Sequence, residues 1–517
     1  MIVDEIRTRL IPLVGDEIDF AVERPSRPEY GDYSTNAALV AAKQQGKNPR
    51  ELAEELVSKL SGDDLFEKVE VAGPGFVNFT VAATAWQQAV AEILKRGNDF
   101  GRQKATGQKV QVEFISANPT GPLTLGNGRG GFGGDVLANV LAWSGHQVER
   151  EYYINDAGNQ VIALGKTVRG DEHLYAGEYI ADLKEKVGPS ETPAEAGGAA
   201  AKLMLAEIKR TVVRMGIRYD AWFSEQVELH DQGKVEKVLG DLVAAKVTYQ
   251  QDGAIWLKTT DYGDDKDRVL KKADEEVTYL AVDIAHYYEN FVTGKLDRKI
   301  NILGADHHGY VGRMQAGVEI LRQAEGFTGQ SDILIAQLVR LMRDGQEVRM
   351  SKRAGTYVTL DELLDEVEVD VARFFFVMHA WNTHMDFDLD LAKEQSQKNP
   401  VYYVKYAHAR ISSILKKAGE QPVGDLTKLG DPREFALIRE LVELPALIAE
   451  TAQDYQVQRL PHYTMRLADA FHQFYERCPV ISDDADLTAA RVALLKATQQ
   501  VLQNVSDVIG IDAPEKM

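Results

Sequence analysis

A turn crowded with glycine holds the first residues that could do chemistry. It reads GPLTLGNGRG, from Gly121 to Gly130, between the strand-like KVQVEFI and the apolar helix pattern DVLANVLAWSG. A turn that ends a strand and opens a helix offers free backbone N–H groups to a phosphate at the positive helix end. Gly126 would let a nucleotide approach without a Cβ, while Thr124 and Asn127 are short, neutral hydrogen-bond donors.

The same glycines also permit a purely structural interpretation. They could simply let a helix pack closely on a sheet, a role open to Gly128, Gly130, Gly131, Gly133 and Gly134. The spacing matches neither the dinucleotide-binding pattern G-x-G-x-x-G nor a Walker loop. Spacing alone therefore leaves both interpretations open.

A second cluster, EVRMSKRAGTYVTL at 347–360, is rich in positive charge. Arg349, Lys352 and Arg353 flank Met350 and Ser351. A lysine in such a loop can act as a point charge on a polyphosphate, with most benefit when charge moves onto the leaving group. The structural alternative is a solvated basic turn.

The composition limits the kind of protein that these residues can belong to. With 517 residues, 44% hydrophobic and 27% charged, the chain resembles an ordinary globular protein of several domains. Its net charge of −20 argues against indiscriminate nucleic-acid binding but allows a local basic patch. No apolar run of about 18 residues predicts a membrane span. The single cysteine, Cys478, and the absence of a signal-peptide pattern predict a cytoplasmic protein.

The order of predicted elements indicates an α/β fold. From Lys109 a strand, the glycine turn, a helix and a second strand follow one another, as at the start of a doubly wound Rossmann-type parallel sheet. We therefore predict a small α+β domain at 1–84, a linker helix at 85–108, a Rossmann-type domain at 109–345 with an insertion at about 165–250, the basic loop and a connector at 346–365, and an all-α bundle at 366–517.

Several of these segments resemble the arginyl-tRNA synthetase family of class I aminoacyl-tRNA synthetases. FISANPTGPLTLGNGRG followed by REYYINDAGNQ is similar to the first signature of that family, and RMSKRAGTYVTL is similar to its Lys-Met-Ser-Lys-Ser loop. YLAVDIAHYY, NILGADHHGYVGRMQAG, NPVYYVKYAHARISSIL and the terminal IDAPEKM also resemble the family. At the front, PEYGDYSTNAALVAAK resembles its N-terminal domain, so the resemblance covers essentially the whole chain.

One departure from the family concerns the first signature. The family normally has His-x-Gly-His there, whereas this chain has Thr124 and Asn127. Both residues can still form hydrogen bonds to a phosphate, and tryptophanyl-tRNA synthetases of the same class are similar in using Thr-x-Gly-Asn. We expect activity to be retained. The alternative is a non-catalytic tRNA-binding paralogue, against which the intact-looking Met-Ser-Lys loop argues.

The resemblance implies an arginine–tRNA ligase with ATP, carried with Mg²⁺, L-arginine and tRNA(Arg) as partners. It implies arginyl-adenylate formation followed by transfer to the terminal ribose of the tRNA, in a protein expected to be a monomer. No protein-bound metal is predicted, because His307 and His308 lack acidic or cysteine partners at ligand spacing. An unrelated Rossmann enzyme is a third possibility, but it lacks a convincing acidic ribose anchor and leaves the matches at both chain ends unexplained.

The resemblance also assigns residues to roles. The predicted catalytic residues are Thr124, Gly126, Asn127 and Lys352, and those expected at ATP are these four with Asp306, His307, Met350 and Ser351. Arginine would meet Asn118, Asn155, Asp156, Gln160, Tyr279 and Asp283, the last taking the guanidinium. Stacking and phosphate contacts with tRNA would involve Tyr402, Tyr403, Lys405, Tyr406 and Arg410. Without the resemblance, Asp283 could be a helix cap, and the tyrosines could be buried faces of an amphipathic helix.

Overall fold

The computed structural model of the chain describes residues 1–348 and 358–517, and its first unit is a four-stranded antiparallel sheet with helices. The strand order is β1-β2-β4-β3. The elements are α1 (Ile2–Val14), β1 (Val22–Glu23), β2 (Tyr33–Thr35), α2 (Ala37–Gln45), α3 (Pro49–Leu60), β3 (Phe66–Ala72), β4 (Phe76–Val81) and α4 (Ala83–Arg96). Strands β3 and β4 form a hairpin, and Gly73 and Gly75 adopt positive φ in the turn between them.

Five parallel strands form the central sheet, in the order β12-β11-β5-β6-β7. They are β5 (Lys109–Glu113), β6 (Gln147–Ile154), β7 (Ala221–Ser224), β11 (Arg298–Gly304) and β12 (Gln330–Ala336). Helix α5 (Leu125–Trp143) packs with Val110 and Val112 against one face. Helices α9 (Lys234–Ala244), α10 (Tyr279–Tyr288) and α11 (Val311–Glu325) form a second apolar cluster that includes Ile333 of β12.

The stretch at 165–250, expected to be an insertion, contributes one strand to the central sheet. Its β7 pairs in parallel with β6, from Ala221 beside Glu151 to Ser224 beside Ile154. The other elements in and after this stretch are α6 (Asn159–Arg169), α7 (Glu178–Val187), α8 (Pro193–Arg214), β8 (Thr248–Gln251), β9 (Ala254–Leu257) and β10 (Arg268–Lys271). Strands β8 to β10 form a separate antiparallel sheet. The predicted domain boundaries stay a proposal.

The part of the chain after β12 combines a small three-stranded sheet with helices. Its elements are β13 (Val339–Arg343), β14 (Gln346–Glu347), α12 (Leu360–Glu366), α13 (Val369–Val377), β15 (Met385–Asp388), α14 (Leu389–Lys393), α15 (Pro400–Ala418), α16 (Pro432–Leu441), α17 (Leu444–Asp454), α18 (Arg459–Arg477) and α19 (Ala485–Ile509). Strand β15 pairs in parallel with β13, which the helical pattern after residue 361 does not predict. Among the described residues, no helix combines the length and apolar composition needed to cross a bilayer.

A buried arginine fastens the bundle to the central sheet domain. Arg373 of α13 donates to the Asp135 carboxylate of α5 at 2.6 Å and to the carbonyl oxygen of Ile509, at the end of α19, at 3.3 Å. It also donates to the carbonyl of Met215, after α8, at 3.1 Å. Because Arg373 is almost fully buried, these contacts fix α5 relative to the bundle.

Candidate active site

The glycine turn ends in a side-chain cap that determines how Asn127 points. Thr124 is the N-cap of α5, and Asn127 Oδ1 accepts hydrogen bonds from the Thr124 backbone N–H at 2.8 Å and hydroxyl at 3.0 Å. Among the described residues, nothing accepts a hydrogen bond from Asn127 Nδ2. The Thr124 hydroxyl therefore orients Asn127, whose amide N–H₂ group is the available donor.

The glycines of the turn divide into two groups. Gly126 is exposed, and a Cβ added there would come no nearer than 3.6 Å to any described residue, the neighbour being Thr124 Oγ1. Four others could not carry a Cβ without displacing a side chain: Gly128 (Leu360, 2.8 Å), Gly131 (Met215, 2.7 Å), Gly133 (Trp381, 2.4 Å) and Gly134 (Phe114, 2.5 Å). The structural interpretation therefore holds for these four, whereas Gly126 leaves an open approach to the helix end.

The chain that follows the basic loop returns to the glycine turn. Thr359 forms an antiparallel bridge with Thr124, and the Leu360 N–H donates to the Leu123 carbonyl at 2.8 Å. Met350, Ser351 and Lys352 lie outside the described residues.

A strained loop carries Asn118 from the end of β5. Ile115 and Ser116 have φ of +66° and +40°, although neither is glycine and isoleucine is β-branched. The Ser116 hydroxyl accepts a hydrogen bond from the Tyr153 N–H at 3.1 Å. Such backbone strain is most common at binding and catalytic sites. Asn118 itself is half-buried.

Asp283 lies in an acidic pocket beside the carboxyl ends of the strands. Tyr279 and Asp283 both belong to α10 and lie one helical turn apart. Asp283 is half-buried and accepts a short hydrogen bond from the Tyr310 hydroxyl, whereas Tyr279 is exposed. Burial, with a smaller contribution from the nearby carboxylates of Glu113 and Glu225, raises the pKa of Asp283 to about 7, although the Tyr310 hydrogen bond and the Lys299 charge lower it.

Glu113, the last residue of β5, is a residue of this pocket that the sequence motifs did not predict. Its Oε2 accepts a hydrogen bond from Asn301 Nδ2 at 2.7 Å and lies 2.9 Å from the Lys299 ammonium. A signal was present in the sequence, because Gln111 and Glu113 alternate with apolar residues in a strand that is buried from Val110 to Glu113. Strands of parallel sheets usually read as continuous apolar runs, so this alternation indicates a buried polar layer on one face.

The other predicted arginine-binding residues differ in whether their polar side-chain atoms already have hydrogen-bond partners. Asp156 accepts hydrogen bonds from the Ser224 hydroxyl at 2.7 Å and the Gln226 N–H at 3.0 Å, so both of its oxygens join the ends of β6 and β7. Asn155 Oδ1 is buried without a partner among the described residues. Gln160 is exposed and accepts from the Tyr175 hydroxyl at 3.0 Å.

Asp306 and His307 lie in the exposed helical turn that follows β11. His307 Nε2 is 3.4 Å from the Asp306 carboxylate. Both side chains face solvent, so the structure leaves them available to a ligand.

One cluster in the described residues has metal-ligand chemistry, but it already contains a cation. Ligand atoms of Glu113, Glu151 and His286 lie within 4.8 Å of one another. The buried Lys299 ammonium lies 2.9 Å from an oxygen of each glutamate. Because that charge occupies the space between the carboxylates, the residues do not suit a divalent metal ion.

The predicted tRNA-binding residues lie on α15, in different environments. Lys405 forms a short ion pair with Asp370 of α13, and both side chains are largely buried. Tyr403 and Tyr406 pack near His472 of α18, with ring centroids at 5.0 and 5.9 Å. Arg410 is exposed and donates to the Tyr475 hydroxyl at 3.1 Å. Arg410 and the half-buried tyrosines are thus the accessible members of this set.

Comparison with known proteins decides the family. The family model for the arginyl tRNA synthetase N terminal domain matches residues 1–81, that for tRNA synthetases class I (R), catalytic domain, matches 191–379, and that for the DALR anticodon binding domain matches 404–517. An arginine–tRNA ligase of Geobacter sp. (strain M21) is 44% identical, covering 96% of this chain and 94% of the relative. The chain belongs to the arginyl-tRNA synthetase family.

Two further comparisons support this assignment to the family. The arginine–tRNA ligase of Heliobacterium modesticaldum is 43% identical over 98% of this chain and 95% of its own length. The Thermus thermophilus arginyl-tRNA synthetase structure superimposes with a TM-score of 0.83 over the whole of both chains, at 22% identity, and shows the same fold. The predicted family, the α/β fold class with its two flanking domains, and the function of an arginine–tRNA ligase are confirmed.

Proposed function

We propose that the cleft at the carboxyl ends of β5, β6 and β11 binds L-arginine and ATP side by side and forms arginyl-adenylate. The observation that carries this proposal is the acidic pocket around Asp283. The carboxyl groups of Asp283, Glu113 and Glu225 lie near a single lysine ammonium, that of Lys299, so a further cation would be favourable here. A planar guanidinium supplies that cation and forms two-pronged hydrogen bonds with carboxylates.

Arginine would enter with its side chain toward α10. Asp283 and the free oxygen of Glu113 would take the guanidinium, and Tyr279 would cover it from the first turn of the helix. Asn118, on the strained loop, and Asn155, with its unpaired oxygen, would meet the amino-acid end. Asp156 would act indirectly, since both its oxygens hold the ends of two strands, and Gln160 would contribute from the rim.

ATP would lie over the start of α5. The open approach at Gly126, the free amide of Asn127 and the positive helix end together suit a phosphate chain. Asp306 and His307 would contact the nucleotide from the turn after β11. Lys352, with Met350 and Ser351, would meet the leaving pyrophosphate, and the bridge from Thr359 to Thr124 supports a return of the chain to this turn.

Both chemical steps would be substitutions that need no protein nucleophile. An oxygen of the arginine carboxylate attacks the α-phosphorus of ATP, a new P–O bond forms, and the bond to pyrophosphate breaks. The terminal ribose hydroxyl of tRNA(Arg) then attacks the carbonyl carbon, loses its proton, and displaces AMP. Side chains contribute position and charge, which are the main sources of rate acceleration in phosphoryl transfer. Mg²⁺ would arrive bound to ATP.

The tRNA would contact both ends of the chain. Tyr402, Tyr403, Tyr406 and Arg410 on α15 suit unpaired bases and phosphates, whereas the ion pair with Asp370 assigns Lys405 a structural part. The monomeric state and the cytoplasmic location belong to the same proposal. The relatives give no support to a non-catalytic paralogue, because they are named as ligases and this chain matches nearly their whole length.

The decisive experiment is arginine-dependent ATP–pyrophosphate exchange, run with and without tRNA(Arg). We expect exchange that requires arginine and that fails in Asp283→Asn, a variant that can keep the hydrogen bond from Tyr310. Arginine-dependent exchange that Asp283→Asn leaves unchanged would reject the pocket. A folded parent protein without exchange under either condition would reject catalysis altogether.

A further inference from the structure

The polar layer beneath the arginine pocket contains two carboxylates on neighbouring strands. Glu113 of β5 is the direct pairing partner of Glu151 of β6, and both side chains lie on the same face of the sheet. Each is less than a tenth exposed. Two like charges opposite each other on adjacent strands repel, and burial strengthens that repulsion. The pair therefore needs a compensating positive charge.

Lys299 supplies this charge from β11, the strand that pairs with β5 on its other side. Its side chain is completely buried, and its ammonium donates hydrogen bonds to Gln111 Oε1 at 2.5 Å and Glu151 Oε1 at 2.9 Å. The same nitrogen lies 2.9 Å from Glu113 Oε2. Burial lowers the pKa of Lys299, but Glu151 and Glu113 outweigh this and hold the pKa above its usual value, so the lysine is charged.

The two glutamates differ in how completely they are satisfied. Glu151 is held by Lys299, by Gln111 Nε2 at 3.1 Å, and lies 2.9 Å from His286 Nε2. Glu113 uses Oε2 for Asn301 and Lys299, while its Oε1 accepts no hydrogen bond from the part of the chain that the structure describes. One ammonium thus lies between two carboxylates, and the oxygen without a partner belongs to Glu113, whose charge also acts on Asp283.

We propose that Lys299 is a positioning residue that sets the charge of the arginine pocket by compensating Glu151, so that the Glu113 carboxylate is left for the substrate guanidinium. The inference rests on the proposed function of the cleft and deepens it. Lys299 does not touch the substrate; it acts through Glu113.

A charge-balance cycle tests the proposal. Lys299→Met leaves two buried carboxylates without an ammonium, so they share a proton; Glu151→Gln leaves Lys299 to neutralise Glu113. We expect each single variant to raise the KM for arginine at least about tenfold, with kcat within about threefold of the parent. The double variant Lys299→Met/Glu151→Gln restores the balance, and its KM is expected to return to within about threefold. Discrimination against citrulline, the neutral analogue of arginine, is expected to fall in Lys299→Met, since a protonated Glu113 can donate to its carbonyl oxygen.

The controls separate the possible failures. Lys234→Met removes another lysine–glutamate pair, with Glu289 at 2.6 Å, and is expected to leave arginine KM unchanged. The role of Lys299 would be overturned if the double variant had an arginine KM as high as that of the more impaired single variant. It would also be overturned if the single variants folded and kept the parental KM. If Lys299→Met does not fold, the comparison of Glu151→Gln with the double variant decides alone. If Asp283→Asn also leaves arginine KM unchanged, the proposed pocket itself is wrong.

Discussion

Asn127 Oδ1 accepts both the backbone N–H of Thr124, at 2.8 Å, and the Thr124 hydroxyl, at 3.0 Å. The two residues that replace the usual histidines of the family are therefore not equivalent. The Thr124 hydroxyl donates its hydrogen bond to Asn127, and the N–H₂ group of Asn127 remains available to a ligand. A neutral pair can in this way present a donor at the start of α5, where the helix end is already positive.

Asn127→Ala tests this division of roles. Loss of an oriented donor at the reacting phosphate is expected to lower kcat for ATP–pyrophosphate exchange on the order of a hundredfold, with little change in arginine KM. Thr124→Ser, which keeps the hydroxyl, serves as the matched control and is expected to stay within about threefold of the parent. An equal effect of Asn127→Ala on exchange and on arginine KM would argue against a phosphate role.

Lys352→Ala tests the basic loop. A cation that meets the leaving phosphates contributes on the order of 2–4 kcal/mol in the transition state, so arginine activation is expected to fall at least about tenfold. The melting temperature is expected to stay unchanged. Lys398→Ala, which removes an exposed lysine 3.7 Å from Glu394, controls for the loss of surface charge. Near-normal exchange by Lys352→Ala would remove this lysine from the mechanism.

The raised pKa of Asp283 predicts how arginine use depends on pH. Burial raises this pKa to about 7, so protons compete with the guanidinium for the carboxylate below that pH. We expect kcat/KM for arginine to fall about tenfold per pH unit below about pH 7 and to level off above it. A pH series of pyrophosphate exchange measures this directly. A flat profile between pH 6 and about pH 8 would contradict the assignment of Asp283 to the guanidinium.

The raised pKa of Asp283 also predicts how the stability of the fold depends on pH. A carboxyl whose pKa is higher in the folded than in the unfolded chain binds its proton more tightly when folded, so ionisation costs stability as pH rises from about 4 to about 7. Asp283→Asn removes this cost. Its melting temperature is expected to exceed that of the parent, by more at pH 8 than at pH 5, while activity is lost. A lower melting temperature at both pH values would refute this account.

Two cations on α15 are expected to respond differently to neutralisation. Lys405→Met leaves Asp370 without its ion pair in a largely buried place and is expected to lower the free energy of unfolding by about 2–3 kcal/mol. Arg410→Met, at an exposed site, is expected to raise the KM for tRNA several-fold and weaken its salt dependence, with the melting temperature unchanged. Thermal denaturation and aminoacylation at several salt concentrations distinguish them. Equal stability losses would contradict the assignment.

The sequence by itself indicated the family, through a resemblance that covers the whole chain, and predicted the strand–turn–helix order from residue 109. That order is a local property, because the period of apolar residues and the residues of a turn report the geometry of neighbouring peptide units. The glycines of the turn show the limit of that information. Gly133 packs against Trp381, a neighbour that only the fold brings there, whereas Gly126 has no such neighbour and leaves room for a ligand. The sequence alone does not distinguish these two kinds of glycine.

Tertiary structure alone decided which side chains share the pocket. Asn301 meets Glu113 from 188 residues away, because β11 pairs with β5 in a register that aligns these two positions. The same strand register places the Lys299 ammonium beside the buried carboxylates. The packing of α15 on α13 places Lys405 in an ion pair with Asp370. Strand order, register and helix packing are set by burial over the whole chain, so the charge of the pocket cannot be read from spacing along the sequence.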